Sequence, residues 1–347
     1  MERYHYALCA QIERFANAAI EKPLIETVFM GGGTPSTYPD SLILDTFDKL
    51  LHIAPFNDSP EVTIEVNPGT VRKEQFEIWT QVGINRLSIG VQSLNDKVLK
   101  NLNRLHKAQD VYFLLKNAKG YFENISIDLI LGLPGVSEDE WKNLLKTVVG
   151  WPIVHISIYF LTVHEKTPLY YRIKTGEIKV AQEDDLVDLY NWSVDFLGDK
   201  GFNRYEISNF AKKGYESKHN KMYWERKPYK GFGLAACSFD GTYRYQNYKN
   251  LSFYLEHVEK KESGCQWFEK LTEEQVRLEK LMLGLRTDRG IPREKMFEGL
   301  SKNKRERLES KIAFLKKNKF IHEKDGRFVI SPNWLTIENE IVLELLV

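Results

Sequence analysis

The chain has 347 residues, 42% of them hydrophobic and 28% charged, with a formal net charge of +1. It reads as an ordinary soluble globular protein of two or more domains, and so even a charge balance makes no broad electrostatic case for nucleic acid. No apolar run approaches the roughly 18 to 20 residues of a membrane span and Met1 to His5 shows no signal-peptide pattern, so the expected location is the cytoplasm.

The first twenty residues read as a helix with Leu8, Ile12, Phe15 and Ala19 on one face. A buried strand follows, Glu26 to Met30, running into Gly31-Gly32-Gly33-Thr34-Pro35. That loop is either a tight strand-to-helix turn or a strand end built to meet a polar ligand with its backbone. Further strands are expected at Glu61 to Val66, Ile84 to Val91, Ile125 to Leu131 and Ile153 to Leu161. Helices are expected between them at Asp40 to Leu51, Val71 to Val82, Ala108 to Lys119 and Glu138 to Val149. This alternation predicts a parallel α/β sheet, open or closed into a barrel. Ser137 with Glu140, and more weakly Ser93 with Asp96, carry the spacing of helix-start capping boxes.

A long helix is expected over Gln182 to Asp199, with Leu186, Leu189, Val194 and Leu197 packing inward. The loop Gly231-Phe232-Gly233 either lets a ligand approach or forms a turn. From Leu271 the pattern becomes helices followed by a hairpin: Thr272 and Gln275 cap a helix to Leu285, another spans Lys304 to Lys317, and Glu323 to Arg327 turns between short strands. That is a winged-helix-like α+β domain. The run Lys316-Lys317-Asn318-Lys319 reads as a solvated face, and nucleic acid is not expected as a partner.

Polar residues stand where a core would not place them, at the C-terminal ends of the strands: Glu65, Gln92 and Asp128. In parallel α/β folds ligands bind at that end, so acids and an amide there converge on one site. Arg104 supplies a fork suited to a ligand carboxylate. Cys9, Cys237 and Cys265 are isolated and lack metal-ligand spacing.

Taken together, Gly31-Gly32-Gly33-Thr34-Pro35, Glu65-Val66-Asn67-Pro68, Gly90-Val91-Gln92-Ser93, Leu102-Asn103-Arg104, Asp128 to Gly135 and His219-Asn220-Lys221-Met222-Tyr223-Trp224 resemble one family. It is the oxygen-independent coproporphyrinogen III oxidase-like family of radical S-adenosylmethionine (SAM) proteins, and the resemblance is closest to its haem chaperone branch. It implies a partial (β/α)6 barrel over residues 1–165, a barrel extension carrying the haem motif over 166–268, and the winged-helix-like domain over 269–347. It also implies that Gly32, Gly33, Thr34, Glu65, Gln92, Arg104, Asp128 and Thr162 contact SAM. His219 would ligate haem iron, with Tyr223 and Trp224 packing on the macrocycle.

One departure stands out. The family carries a C-x-x-x-C-x-x-C motif just after its first barrel strand, whose thiolates hold a [4Fe–4S] cluster, and neither that strand nor the motif is in this sequence. Without them the chain is not expected to do radical chemistry. The expectation is a truncated family member, less stable than a version extended by the missing strand. Three readings follow: a chaperone handing haem, or a related porphyrin, to an acceptor haemoprotein; a coproporphyrinogen oxidase; or a catalytically silent small-ligand module. Whether the chain is an enzyme, forms a homo-oligomer or touches a membrane peripherally stays open on the sequence.

Overall fold

The computed structural model describes residues 1–18 and 24–347, so Ala19, expected on the packing face of the first helix, lies outside the described residues. In chain order α1 is Glu2–Ala18, β1 Ile25–Met30, α2 Asp40–Ile53, β2 Phe56–Val66, α3 Lys73–Gln81, β3 Arg86–Gln92, α4 Asp96–Asn101 and α5 Ala108–Ala118. β4 is Asn124–Leu131, α6 Glu138–Val148, β5 His155–Phe160, α7 Pro168–Lys174, α8 Glu183–Asp199, β6 Asn203–Arg204 and β7 Asn209–Ala211. These strands form one sheet in the order β1-β2-β3-β4-β5-β7-β6.

The pleat explains which residues reach the site. Ile64, Leu87, Ile89, Ile125, Ile127, Leu129, Ile156 and Ile158 are fully buried on one face of the sheet. The residues between them point to the opposite face, because successive side chains alternate. In register, Glu65 sits opposite Ser88, Gly90 opposite Asp128, and Asp128 opposite Ser157. Sequential parallel strands are the α/β arrangement the alternation predicts. The parallel run stops at β5, where β7 pairs antiparallel and β6 pairs antiparallel with β7 in turn. Strands of two and three residues carry no period, which is why this closing pair is not visible in the sequence.

Below the strand ends, the same face is lined by polar groups tied to one another. His155 lies between Ser126 Oγ, 2.7 Å from Nδ1, and Tyr205 OH, 2.8 Å from Nε2. Ser217 donates through its backbone to Tyr205 OH and through its hydroxyl to Glu61, which stands 4.0 Å from the Arg86 guanidinium. Burial, and after it the charge of Arg86, hold His155 well below the usual imidazole range, so it is neutral. Paired in this way, these groups avoid the several-kcal/mol cost of orphaned buried polar groups, whereas the Thr63 hydroxyl on the same face has no partner among the described residues.

Two helix starts behave as expected: Ser137 and Glu140 form a reciprocal capping box, as do Thr272 and Gln275. The third does not. Asn95, not Ser93, caps α4, accepting from the N–H groups of Lys97 and Val98, while Ser93 accepts from Asn95 N–H. In α8 the buried positions are Tyr190, Ser193 and Leu197; Leu186, Leu189 and Val194 are half-buried.

The chain packs as two units, Phe29–Tyr38 with Glu61–Ser217, and Met1–Val28 with Pro39–Pro60 and Lys218–Val347. The expected division at residues 165 and 268 is a division along the chain and remains a proposal. The first unit carries most of the sheet just described. In the second, Ala7 of α1 packs on Tyr254, Leu255 and Val258 of α10 (Leu251–Glu259). Leu8 and Ile12 pack on Ile53 and Ala54, with Phe15 beside them. This unit also holds α9, Lys218–Trp224, and an antiparallel sheet of β8 Cys237–Phe239, β9 Tyr243–Asn247 and β10 Cys265–Lys270. Its end comprises α11 Glu273–Leu285, β11 Ile291–Pro292, α12 Arg293–Phe297, α13 Lys302–Lys317, β12 Ile321–Lys324, β13 Arg327–Ile330 and α14 Glu338–Glu344. With its small sheet ordered β11-β13-β12, this end is the expected winged-helix-like α+β region. Among the described residues no helix is long and apolar enough to cross a membrane.

Candidate functional site

At the C-terminal ends of the parallel strands lies a polar cavity of about 210 Å³. Its lining includes Gly33, Thr34, Glu65, Gln92, Arg104 and Asp128. The volume falls below the roughly 300 Å³ at which drug-sized ligands begin, and so suits one polar end of a larger molecule.

The glycine loop is shaped by what stands against it. A Cβ on Gly31 would fall 2.5 Å from the Phe29 ring and 2.9 Å from the Glu65 carboxyl carbon. Gly32 and Gly33 have φ of +83° and +66°, a region that side chains resist. Gly32 N–H donates to Glu65 Oε2 at 2.9 Å, which ties the loop to the acid; an incoming ammonium needs acceptors and would take carbonyl or carboxylate oxygens. Gln92 holds φ at 64° where the β3–β4 register slips between Gly90 and Gln92. Such a bulge re-aims a side chain, at a backbone cost that is tolerated at binding sites.

Charge in the cavity is mixed. Burial pushes the Asp128 carboxyl up to about 6; the hydroxyl of Ser157 and the charge of Arg86 oppose that shift, while Glu65 adds to it. Ser88 Oγ donates to Asp128 Oδ2 at 3.3 Å. Arg104 Nη1 donates to Asn67 Oδ1 at 3.1 Å, and Asn67 Nδ2 donates to Thr34 Oγ1 at 3.1 Å. No carboxylate among the described residues pairs with Arg104, which leaves its fork for a carboxylate of a ligand. Two acids, one guanidinium and open backbone fit a zwitterionic amino-acid group bearing a second cationic centre. Asn67 and Ser88 belong to this site and were missed; Asn67 follows Glu65 by two residues, and that spacing on a strand end was the available signal. Thr162, by contrast, lies exposed in the loop after β5 and is not part of the cavity lining.

The histidine motif forms α9. His219 Nδ1 lies 2.8 Å from Thr27 Oγ1, and that hydroxyl donates onward to Met222 Sδ at 3.4 Å. Thr27 thus holds the ring by Nδ1, and Nε2 faces Tyr223. Tyr223 OH is 3.1 Å from that Nε2, with the two rings edge to face at 4.9 Å. Burial pushes the Tyr223 phenol up to about 12, so it stays protonated and can donate. The Trp224 ring carries the Arg286 guanidinium at 4.7 Å, and its buried Nε1 has no hydrogen-bond partner.

Gly231 and Gly233 resolve as a turn. A Cβ on Gly231 would lie 2.1 Å from the Cys237 carbonyl oxygen, and one on Gly233 2.6 Å from Tyr4 OH, so backbone and side chain, not a ligand, occupy the space.

The thiols do not suit an iron–sulfur cluster. Cys9 is buried, Cys237 exposed and Cys265 half-buried, and no three of them gather as a ligand set among the described residues. A thiolate-held cluster needs clustered cysteines.

Comparison with known proteins accords with this geometry. Residues 2–148 match the Radical SAM superfamily model. The chain is 30% identical over 322 residues to "Heme chaperone HemW" of Bacillus subtilis (strain 168), covering 92% of this chain and 85% of that one. It is 33% identical over 298 residues to "Heme chaperone HemW" of Lactococcus lactis subsp. lactis (strain IL1403), covering 86% and 77%. Its fold superposes on the radical SAM coproporphyrinogen III oxidase (HemN) of Escherichia coli with a TM-score of 0.83 at 20% identity, over 99% of this chain and 82% of that one. That identity speaks for the fold alone, and the superfamily is one of SAM and iron–sulfur proteins. With near-complete coverage at 30% identity and above, the chain belongs to the HemW family within the radical SAM superfamily.

Proposed function

We propose that this chain is a haem chaperone: it binds haem through His219 and passes it to an acceptor haemoprotein, and it holds SAM in the strand-end cavity. The observation that carries the reading is the state of His219. Thr27 Oγ1 holds Nδ1 at 2.8 Å, as the partners of metal-binding histidines generally hold the nitrogen that does not ligate, which supports Nε2 as the ligand atom. Tyr223 OH lies 3.1 Å from Nε2, so haem entry would exchange one hydrogen bond for one metal bond. Tyr223 and Trp224 offer aromatic surface to a macrocycle. The names of the relatives support haem as the cargo.

In the cavity, Glu65 and Asp128 would face the sulfonium and ammonium charges of SAM, Arg104 its carboxylate, and the Gly32–Gly33 backbone and Thr34 its amino-acid end. When bound, SAM supplies a sulfonium centre. The chain's own residues orient it and neutralise its charges. An oxidase-type reading is less well supported, because it needs a cluster that the three thiols do not fit.

The reading is tested by absorption titration of the purified full chain with haem. His219→Ala should lose the Soret shift and weaken affinity at least tenfold while the thermal midpoint is kept. Unchanged haem affinity in that variant would overturn the assignment of the ligand.

A further inference from the structure

Away from both sites, α1 and α2 bring together three unlike ligand types: His5 and Cys9, one helical turn apart on α1, and Asp45 on α2. We propose that His5 Nε2, Cys9 Sγ and Asp45 Oδ2 form a binding site for a zinc-class divalent cation, with the fourth position left to solvent. The geometry is that of a tetrahedral centre. With Zn–S of about 2.3 Å and Zn–N or Zn–O of about 2.0 Å, tetrahedral angles place sulfur about 3.5 Å from either lighter ligand and the two lighter ligands about 3.3 Å apart. In the structure Cys9 Sγ lies 3.5 Å from His5 Nε2 and 3.5 Å from Asp45 Oδ2. Only the His5 Nε2 to Asp45 Oδ2 distance, 2.7 Å, is shorter, because a proton now bridges them. Moving Asp45 out by about 0.6 Å completes the triangle, and its side chain, 47% exposed, has room to do so.

The distances favour this over a relay of the thiol–imidazole–carboxylate kind. In such a relay the acid holds one ring nitrogen and the nucleophile meets the other. Here Asp45 holds Nε2, and Cys9 Sγ lies nearer to that same nitrogen, at 3.5 Å, than to Nδ1, at 4.0 Å. Thiolate, imidazole and carboxylate together select zinc over hard cations such as magnesium and calcium. The surroundings contribute Lys49 and Glu13, paired with each other at 2.7 Å. Burial, followed by the charge of Asp45, pushes the Cys9 thiol up to about 12, so without a cation it is a protonated thiol. On binding, the thiol proton and the one shared by His5 and Asp45 leave those atoms and the cation takes both places.

The test uses the metal-stripped full chain and Co²⁺ alone as probe, followed by Zn²⁺ competition. Wild type should take up one equivalent of Co²⁺ with a thiolate charge-transfer band, and Zn²⁺ should erase that band and raise the thermal midpoint. Cys9→Ser should lose both responses, whereas Cys237→Ser, Cys265→Ser and His219→Ala should keep them. Asp45→Ala, a surface change that spares the fold, should weaken Co²⁺ by more than about tenfold, since even indirect partners of a ligand are worth 10- to 100-fold. Absence of the band in wild type, its survival in Cys9→Ser, or unchanged affinity in Asp45→Ala would each overturn the site. Because His219 is kept apart by its own variant, failure here leaves the haem reading untouched.

Discussion

At the proposed haem ligand, His219, the two ring nitrogens have different partners, and two substitutions separate them. Tyr223→Phe keeps the ring but removes the hydroxyl that caps Nε2. A hydrogen bond worth about 0.5 to 1.5 kcal/mol then no longer opposes binding, so haem affinity should rise by roughly 2- to 10-fold. Thr27→Val removes the partner of Nδ1 and should weaken haem by roughly 10- to 100-fold. Haem titrations of both variants check the pair; the same direction of change in both would contradict Nε2 as the ligand atom. Asp128 gives a pH signature. Its carboxyl is held at about 6, against an ordinary 3.8, mainly by burial. The folded chain therefore binds this proton more tightly than the unfolded one, and the stability it contributes is complete below pH 3.8 and lost as pH rises through about 6. Asp128→Asn should escape that loss and melt higher than wild type at pH 7, by roughly 1 to 3 kcal/mol, with the gain vanishing towards pH 4. The same variant should bind SAM more weakly, a loss read by calorimetry. Weaker SAM binding with unchanged stability would point to ligand contact without strain from burial.

Among the elements, the glycine loop makes the sharpest prediction. A methyl group at Gly31 collides with the Phe29 ring and the Glu65 carboxylate, so Gly31→Ala must displace one of the acids that line the cavity. SAM affinity should fall more than tenfold, while the thermal midpoint drops by only a few degrees; unaltered affinity would remove Glu65 from the site. Ser137→Ala, at the start of α6, should cost about 1 kcal/mol through the lost cap and leave both ligands alone. Elements with a clear period were legible: β1, β3 to β5, α2, α3, α5, α6, α8, α11 and α13 lie within about two residues of their expected bounds, and β2 ends as expected but begins earlier, at Phe56. Of α4 only the start was expected, and β6 and β7 were not legible at all, because runs of two to six residues carry too little pattern. The cap of α4 was misread for a related reason. Ser93 and Asn95 are both good capping residues, and the backbone entering α4, not residue type, chose between them.

At the scale of the molecule, the chain is not divided in the order in which it is written. One unit draws on Met1–Val28, Pro39–Pro60 and Lys218–Val347. Its α1 buries Ala7 against α10, more than two hundred residues downstream. A fragment ending at Ser217 therefore leaves that face of α1 bare and should show no cooperative melt for α1 and α2; a soluble fragment melting in one sharp transition would count against this. The sequence by itself determined the periods of strand and helix, the glycine strand end, and the acids and arginine that line the cavity, since alternation and chain order carry those without any distant partner. Tertiary structure alone decided the rest. It left Thr162 outside the cavity and brought Asn67 and Ser88 into it. It set Thr27 against one nitrogen of His219 and brought Asp45 to His5 and Cys9. The contacts among these turn on an atom from a distant stretch of chain arriving within about 3.5 Å, and no local pattern encodes which distant atom that will be.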